Sequence, residues 1–171
     1  MNNKVIFSIK PEWVYKILLS EKLWEVRKTK PQLQLPFSCY IYCTKDNKFD
    51  ISWGPFGVTP DNDGDPIKGT VCASFLCDDI YTISWDDYNH CYDIDDDTLK
   101  ETCLTQQQLY DYGKGKTLYA FHIKCLTEFV PGLNINQFWQ LDYNYLSTTY
   151  MGPKYLTRPP QSWGYVSGHH Y

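Results

Sequence analysis

Apolar residues come in short dense runs separated by polar, glycine- or proline-bearing stretches, and the period inside each run changes along the chain. KVIFSI, residues 4–9, predicts a first strand. Pro11 suits the first turn of a helix. Val14, Ile17 and Leu18 then recur at helical spacing with Trp13 beside them, so residues 11–20 read as a short amphipathic helix. Residues 22–29 return to a strand. Pro31 and Pro36 bracket a connection, and PFSCYIYCT, residues 36–44, is rich in β-forming and aromatic side chains and predicts a buried strand.

Residues 45–66 carry Asp, Asn, Gly and Pro at high density and read as a long acidic loop or insertion. Residues 68–84 are one long strand or two joined by a bend. SWDDYNHCYDIDDD, residues 84–97, is polar and acidic. Two short helices are expected, over 98–103 and 105–112. Thr105 and Gln108 have capping-box spacing in the second, and Gly113 sits where a helix would stop. TLYAFHIKCLTEF, residues 117–129, predicts a strong strand. Residues 132–150 are ambiguous, with one helical turn near 136–141, and a closing strand is expected at about 162–166. No internal repeat is present. Strands with helices between some of them argue for one α+β domain over residues 1–171: a small, mostly antiparallel sheet closed or nearly closed into a β-barrel, with short helices packed on it.

The chain of 171 residues is long enough to bury a core, and its 43% hydrophobic and 17% aromatic content exclude a disordered chain. No run approaches a membrane span and the N-terminal apolar run is too short for a secretory signal, so a cytoplasmic protein without a membrane partner is expected. Seven cysteines without a C-x-x-C pair argue against a disulfide framework in a reducing compartment.

The net charge of −4 hides a division. Residues 1–48 hold nine Lys or Arg against four acids, residues 49–101 two against thirteen, and residues 102–171 five against three. A nucleic acid would be drawn to the first segment and repelled by the second.

That division focuses attention on SEKLWEVRK, residues 20–28. Strand side chains alternate faces, so Trp24 and Val26 share one side while Leu23, Glu25 and Arg27 share the other. Glu25 and Arg27 are placed to pair, and Lys22, at the helix-to-strand turn, points to either face. One expectation is a wet face with a surface ion pair worth under about 1 kcal/mol. The other is a cleft in which Lys22 and Arg27 meet phosphate or a base edge and Glu25 orients Arg27.

S-E-K-L-W-E-V-R resembles the G-x-K-x-x-E-x-R signature of the ASCH domain family, whose fold is a PUA-like β-barrel. Ser8–Pro11 before the helix and Val26–Pro31 after the motif agree with that family, and Cys39–Thr44 and Pro159–Val166 are similar to its phage-associated branch. The resemblance implies a ligand-binding site for RNA, a nucleoside or a nucleotide around Lys22, Glu25 and Arg27. The family's first glycine is Ser20 here, which implies either a different turn or a left-handed residue tolerated at about 1 kcal/mol.

Small relatives that hydrolyse the acetyl amide of acetylcytidine match at Lys22 and Arg27, carry a threonine where this chain has Glu25, and place a second carboxylate where Glu101 stands. The resemblance therefore implies, as an alternative, a hydrolase with Lys22, Glu25 and Glu101 as catalytic residues. Its lysine would lose a proton readily only if burial outweighed the attraction of nearby carboxylates. Other ASCH relatives are associated with ribonuclease activity, but no two-histidine arrangement typical of metal-free RNA cleavage is evident.

Trp163 in P-P-Q-S-W is expected to seal the core or to provide a stacking wall for a flipped base. The cysteines and His90 lack zinc-ligand spacing, and D-N-D-G-D and D-I-D-D-D lack the glutamate of a calcium loop, so no metal or other cofactor is expected. The acidic middle raises a third alternative: a phage-type inhibitor that offers its carboxylates to a basic protein partner.

Overall fold

The computed structural model describes residues 4–45, 67–140 and 153–169. The expected acidic insertion, beyond Lys45 at its start, therefore lies outside the described residues. The chain runs β1 (Lys4–Ile9), α1 (Pro11–Leu18), β2 (Trp24–Arg27), β3 (Phe37–Cys43), β4 (Val71–Cys77), β5 (Ile80–Asp86), β6 (Cys91–Asp93), α2 (Asp96–Glu101) and α3 (Gln106–Gly113). It continues β7 (Leu118–His122), β8 (Lys124–Leu133), a 3-10 turn (Ile135–Gln137), β9 (Phe138–Gln140), β10 (Lys154–Tyr155), β11 (Trp163–Val166) and β12 (Gly168–His169). No helix of the described residues is long and apolar enough to cross a membrane.

β1 is almost continuously apolar because both of its faces are covered. Val5, Phe7 and Ile9 enter one core cluster with Phe75 and Phe121, while Ile6 enters another with Tyr40, Phe138 and Val166. Its edges are filled too, by β11 antiparallel and β3 parallel. Such a strand loses the in–out alternation of a half-exposed one.

The expectation of a closed barrel is corrected. The described strands form a mixed five-stranded sheet ordered β11-β1-β3-β4-β8, a four-stranded sheet ordered β2-β7-β5-β6, and a three-stranded sheet ordered β10-β9-β12. The two larger sheets meet through side chains rather than a continuous hydrogen-bonded circuit. Phe7 of β1 meets Phe121 of β7 edge to face, with centroids 5.1 Å apart.

Other differences have local causes. Residues 68–84 divide into β4 and β5. The acidic stretch contains β6, three residues long, joined to β5 by a turn in which Asp86 Oδ1 accepts from the Tyr88 and Asn89 amides. So short a strand leaves no periodicity to read. Residues 117–129 divide into β7 and β8 where the His122 amide turns to the Asp79 carbonyl and the Ile123 amide to the Leu23 carbonyl. The Thr105–Gln108 capping box is present. Gly113 is the buried last residue of α3, and the left-handed position falls to Lys114, φ 52°.

Candidate functional site

The turn between α1 and β2 sets the position of Lys22. The amides of Glu21 and Lys22 both return to the Lys16 carbonyl, at 2.9 and 3.0 Å. Ser20 immediately precedes them with φ 57°, so the turn that would suit glycine is kept and a serine bears its cost. The backbone then extends into β2, which pairs antiparallel with β7, Glu25 opposite Phe121 and Arg27 opposite Tyr119.

Glu25 and Arg27 do share a face, but the face is not wet. Lys22 is 2% exposed, Glu25 6% and Arg27 8%, so a surface ion pair is ruled out. Glu25 joins the cations: its Oε1 lies 3.0 Å from Arg27 Nη2 and its Oε2 lies 3.6 Å from Lys22 Nζ. Lys22 Nζ also donates to the Thr102 carbonyl at 2.6 Å, at the C-terminal end of α2, and lies 5.4 Å from the Trp13 ring centroid. Arg27 Nη2 donates to the Ser8 carbonyl at 2.9 Å and Nη1 to Ser162 Oγ at 3.4 Å, and the guanidinium carbon stands 5.4 Å from the Phe7 ring. Arg27 Nε is buried with no hydrogen-bond partner. A buried donor left unpaired costs about 1–3 kcal/mol.

These side chains form the floor of a cleft of about 710 Å³. Trp13 of α1 and Tyr112 of α3 stand on its walls, with Glu12, Asp111, Lys10 and Lys45 around them and Gln108 and Gln161 supplying amides. The lining thus carries four cations, Lys10, Lys22, Arg27 and Lys45, against three carboxylates, Glu12, Glu25 and Asp111. Burial lowers the pKa of Lys22 below the ordinary lysine range, and the attraction of Glu25 only partly offsets it. Burial raises the Tyr112 phenol, against the pull of Arg27.

Two expected residues stand elsewhere. Glu101 is absent from the lining: its Oε2 accepts from the Trp24 indole at 3.0 Å, on the other side of β2 from Glu25. Trp163 is absent as well: its indole donates to Thr29 Oγ1 at 3.0 Å and its ring packs edge-on to Tyr165. The aromatic wall comes instead from Trp13, whose place beside the helical stripe was visible, and from Tyr112, for which no local signal exists. Among the described residues no cluster of three or more His, Cys, Asp or Glu is arranged to hold a metal ion.

No protein-family model and no curated protein matches the chain. Solved structures do. The ASCH protein of Zymomonas mobilis is 20% identical, with a TM-score of 0.57 over 96% of this chain and 87% of that one. A tyrosine-to-phenylalanine mutant of the same protein gives 19% identity and a TM-score of 0.57 over 96% and 90%. A serine-to-alanine mutant gives 20% and 0.56 over 96% and 88%. At this identity the likeness is one of architecture, and by it the chain has the mostly-strand α+β fold of an ASCH domain.

Proposed function

We propose that the cleft floored by Lys22, Glu25 and Arg27 binds a nucleobase, carried by RNA or by a modified nucleoside. The observation that carries this reading is the buried Arg27 Nε that no protein group satisfies, beneath a cleft with Trp13 and Tyr112 on its walls. A base carbonyl or ring nitrogen supplies the missing acceptor once the guanidinium turns toward the cleft, and an aromatic wall adds stacking worth about 1–3 kcal/mol per base. Glu25 holds Arg27 in place and is available to accept from an exocyclic amine. The motifs similar to the phage-associated ASCH branch support the same reading.

The test is equilibrium binding of purified protein to single-stranded RNA, single-stranded DNA and modified nucleosides at two salt concentrations. Binding that weakens at least tenfold in Arg27→Lys, which keeps the charge but not the fork, supports base recognition. Binding indifferent to that change refutes it.

A second reading, hydrolysis of an acylated nucleoside, is favoured by the lowered pKa of Lys22. Burial disfavours the ammonium, so the lysine gives up its proton more readily than an exposed one, and its amine accepts a proton from water attacking an acyl carbon. Glu25, 3.6 Å from its Nζ, is the carboxylate beside it, Glu12 and Asp111 stand elsewhere in the lining, and Glu101 drops out of the constellation. Turnover of N4-acylated cytidine that disappears in Lys22→Met identifies this activity.

A further inference from the structure

A second cavity, of about 300 Å³, lies between the β5–β6 hairpin and α3, lined by Trp85, His90, Gln106, Gln107 and Tyr110. Its aromatic floor is preformed. Trp85 and Tyr110 have ring centroids 5.1 Å apart and planes 40° from parallel, so they offer two inclined π faces. Tyr92 meets Trp85 edge to face at 5.1 Å. Gly115, at φ 76°, packs beside the indole, where an added Cβ would stand 3.6 Å from it, in ordinary van der Waals contact. Gln106 fixes α3 against β6 by accepting from the Tyr92 amide and donating to the Tyr92 carbonyl, both at 2.9 Å.

Two properties say what such a floor takes. The first is the ring chemistry: a cation over a π face is attracted by the ring quadrupole. The chain already shows this at the cavity edge, where Lys114 Nζ lies 5.5 Å from the Tyr110 centroid. Tyr110 nonetheless keeps 41% of its surface exposed. The second is charge. Residues 84–97 hold six aspartates, at 86, 87, 93, 95, 96 and 97, and no lysine or arginine, while Lys114 at the cavity edge is paired with Asp111 at 3.3 Å. A polyanion is repelled there, and a neutral ring gains nothing from the carboxylates. A guanidinium gains from both, and it stacks on aromatic faces better than an ammonium does.

We propose that this cavity docks arginine side chains of a basic polypeptide partner, at a site separate from the nucleobase cleft. The guanidinium lies against Tyr110 and Trp85 while the aspartates of the hairpin and of the start of α2 draw in the partner's remaining positive charge.

The test is isothermal titration of the full chain with a peptide of alternating arginine and glycine, at low and moderate salt. Tyr110→Ala should weaken binding about fivefold or more with no change in net charge. Tyr155→Ala, which removes an exposed aromatic from β10, should leave it unchanged. Trp85→Leu should repeat the Tyr110→Ala loss where its thermal midpoint shows that it folds. Tyr110 is partly exposed, so its variant tests the proposal whether or not Trp85→Leu folds. No measurable peptide binding overturns the proposal. So does binding of equal strength in wild type and Tyr110→Ala, which is charge attraction alone. Single-stranded RNA that binds in a Tyr110-dependent way in place of the peptide overturns it as well.

Discussion

Lys22 Nζ donates to the Thr102 carbonyl at 2.6 Å, so the lysine of the turn leading into the second strand is fastened to the end of a helix 80 residues further along the chain. Glu25 sits beside it and shares its charge with Arg27. The three side chains form one buried electrostatic unit, and its members fail in different ways when removed.

Glu25→Ala leaves Lys22 and Arg27 as buried cations without their carboxylate. Removing one partner of a buried pair costs about 3–5 kcal/mol, and that loss is expected here in urea unfolding. Lys22→Met should cost clearly less, because Glu25 keeps Arg27 and an apolar chain fills the site.

The Lys22 ammonium also gives stability a pH dependence. Its folded pKa lies below the ordinary lysine value of 10.5, because burial disfavours the charged form. Below the folded pKa both states hold the proton and the fold carries the whole desolvation cost. Between the folded value and 10.5 the unfolded chain holds more protons, so stability rises with pH. Chemical unfolding of wild type and Lys22→Met from neutral pH upward should show the wild type gaining relative to the variant.

Asp78 predicts the opposite end of the pH scale. Lys124 Nζ donates to one of its oxygens at 2.8 Å and His122 Nδ1 lies 2.6 Å from the other. These hydrogen bonds hold its pKa down to about 2. The stabilisation is present above the unfolded carboxylate pKa of about 3.9 and is lost as pH falls toward the folded value. Thermal midpoints of wild type and Asp78→Asn should therefore converge as pH falls from about 4 to about 2.

Gly113→Ala tests the junction of α3 with β6. A Cβ there would overlap Tyr92 Oη, whose hydroxyl donates to the Lys116 carbonyl at 2.9 Å. Overpacking of this kind typically costs about 1–3 kcal/mol, to be read from denaturant midpoints.

Much of this was legible where the cause is local. The alternation of Trp24, Glu25, Val26 and Arg27 put the right pair on one face, and Thr105 with Gln108 announced the start of α3. Burial of the Glu25 face was not legible. It is made by Ser8, Thr102 and Tyr112, which reach β2 from three distant segments. Glu101 has suitable chemistry for a catalytic carboxylate, yet the Trp24 indole claims it. The open sheet edges escaped for a related reason: strand patterns reveal which residues are buried, not whether a neighbouring sheet covers them by hydrogen bonds or by phenylalanine rings.

The central claim is tested most directly by NMR titration of the isotope-labelled chain with cytidine, N4-acetylcytidine and a short single-stranded RNA. Shifts concentrated at the Trp13 indole, the Arg27 guanidinium, Lys22 and Tyr112 are expected, and much reduced ones in Arg27→Lys. Shifts that bypass these four residues, or a spectrum left unmoved by all three ligands, would contradict it.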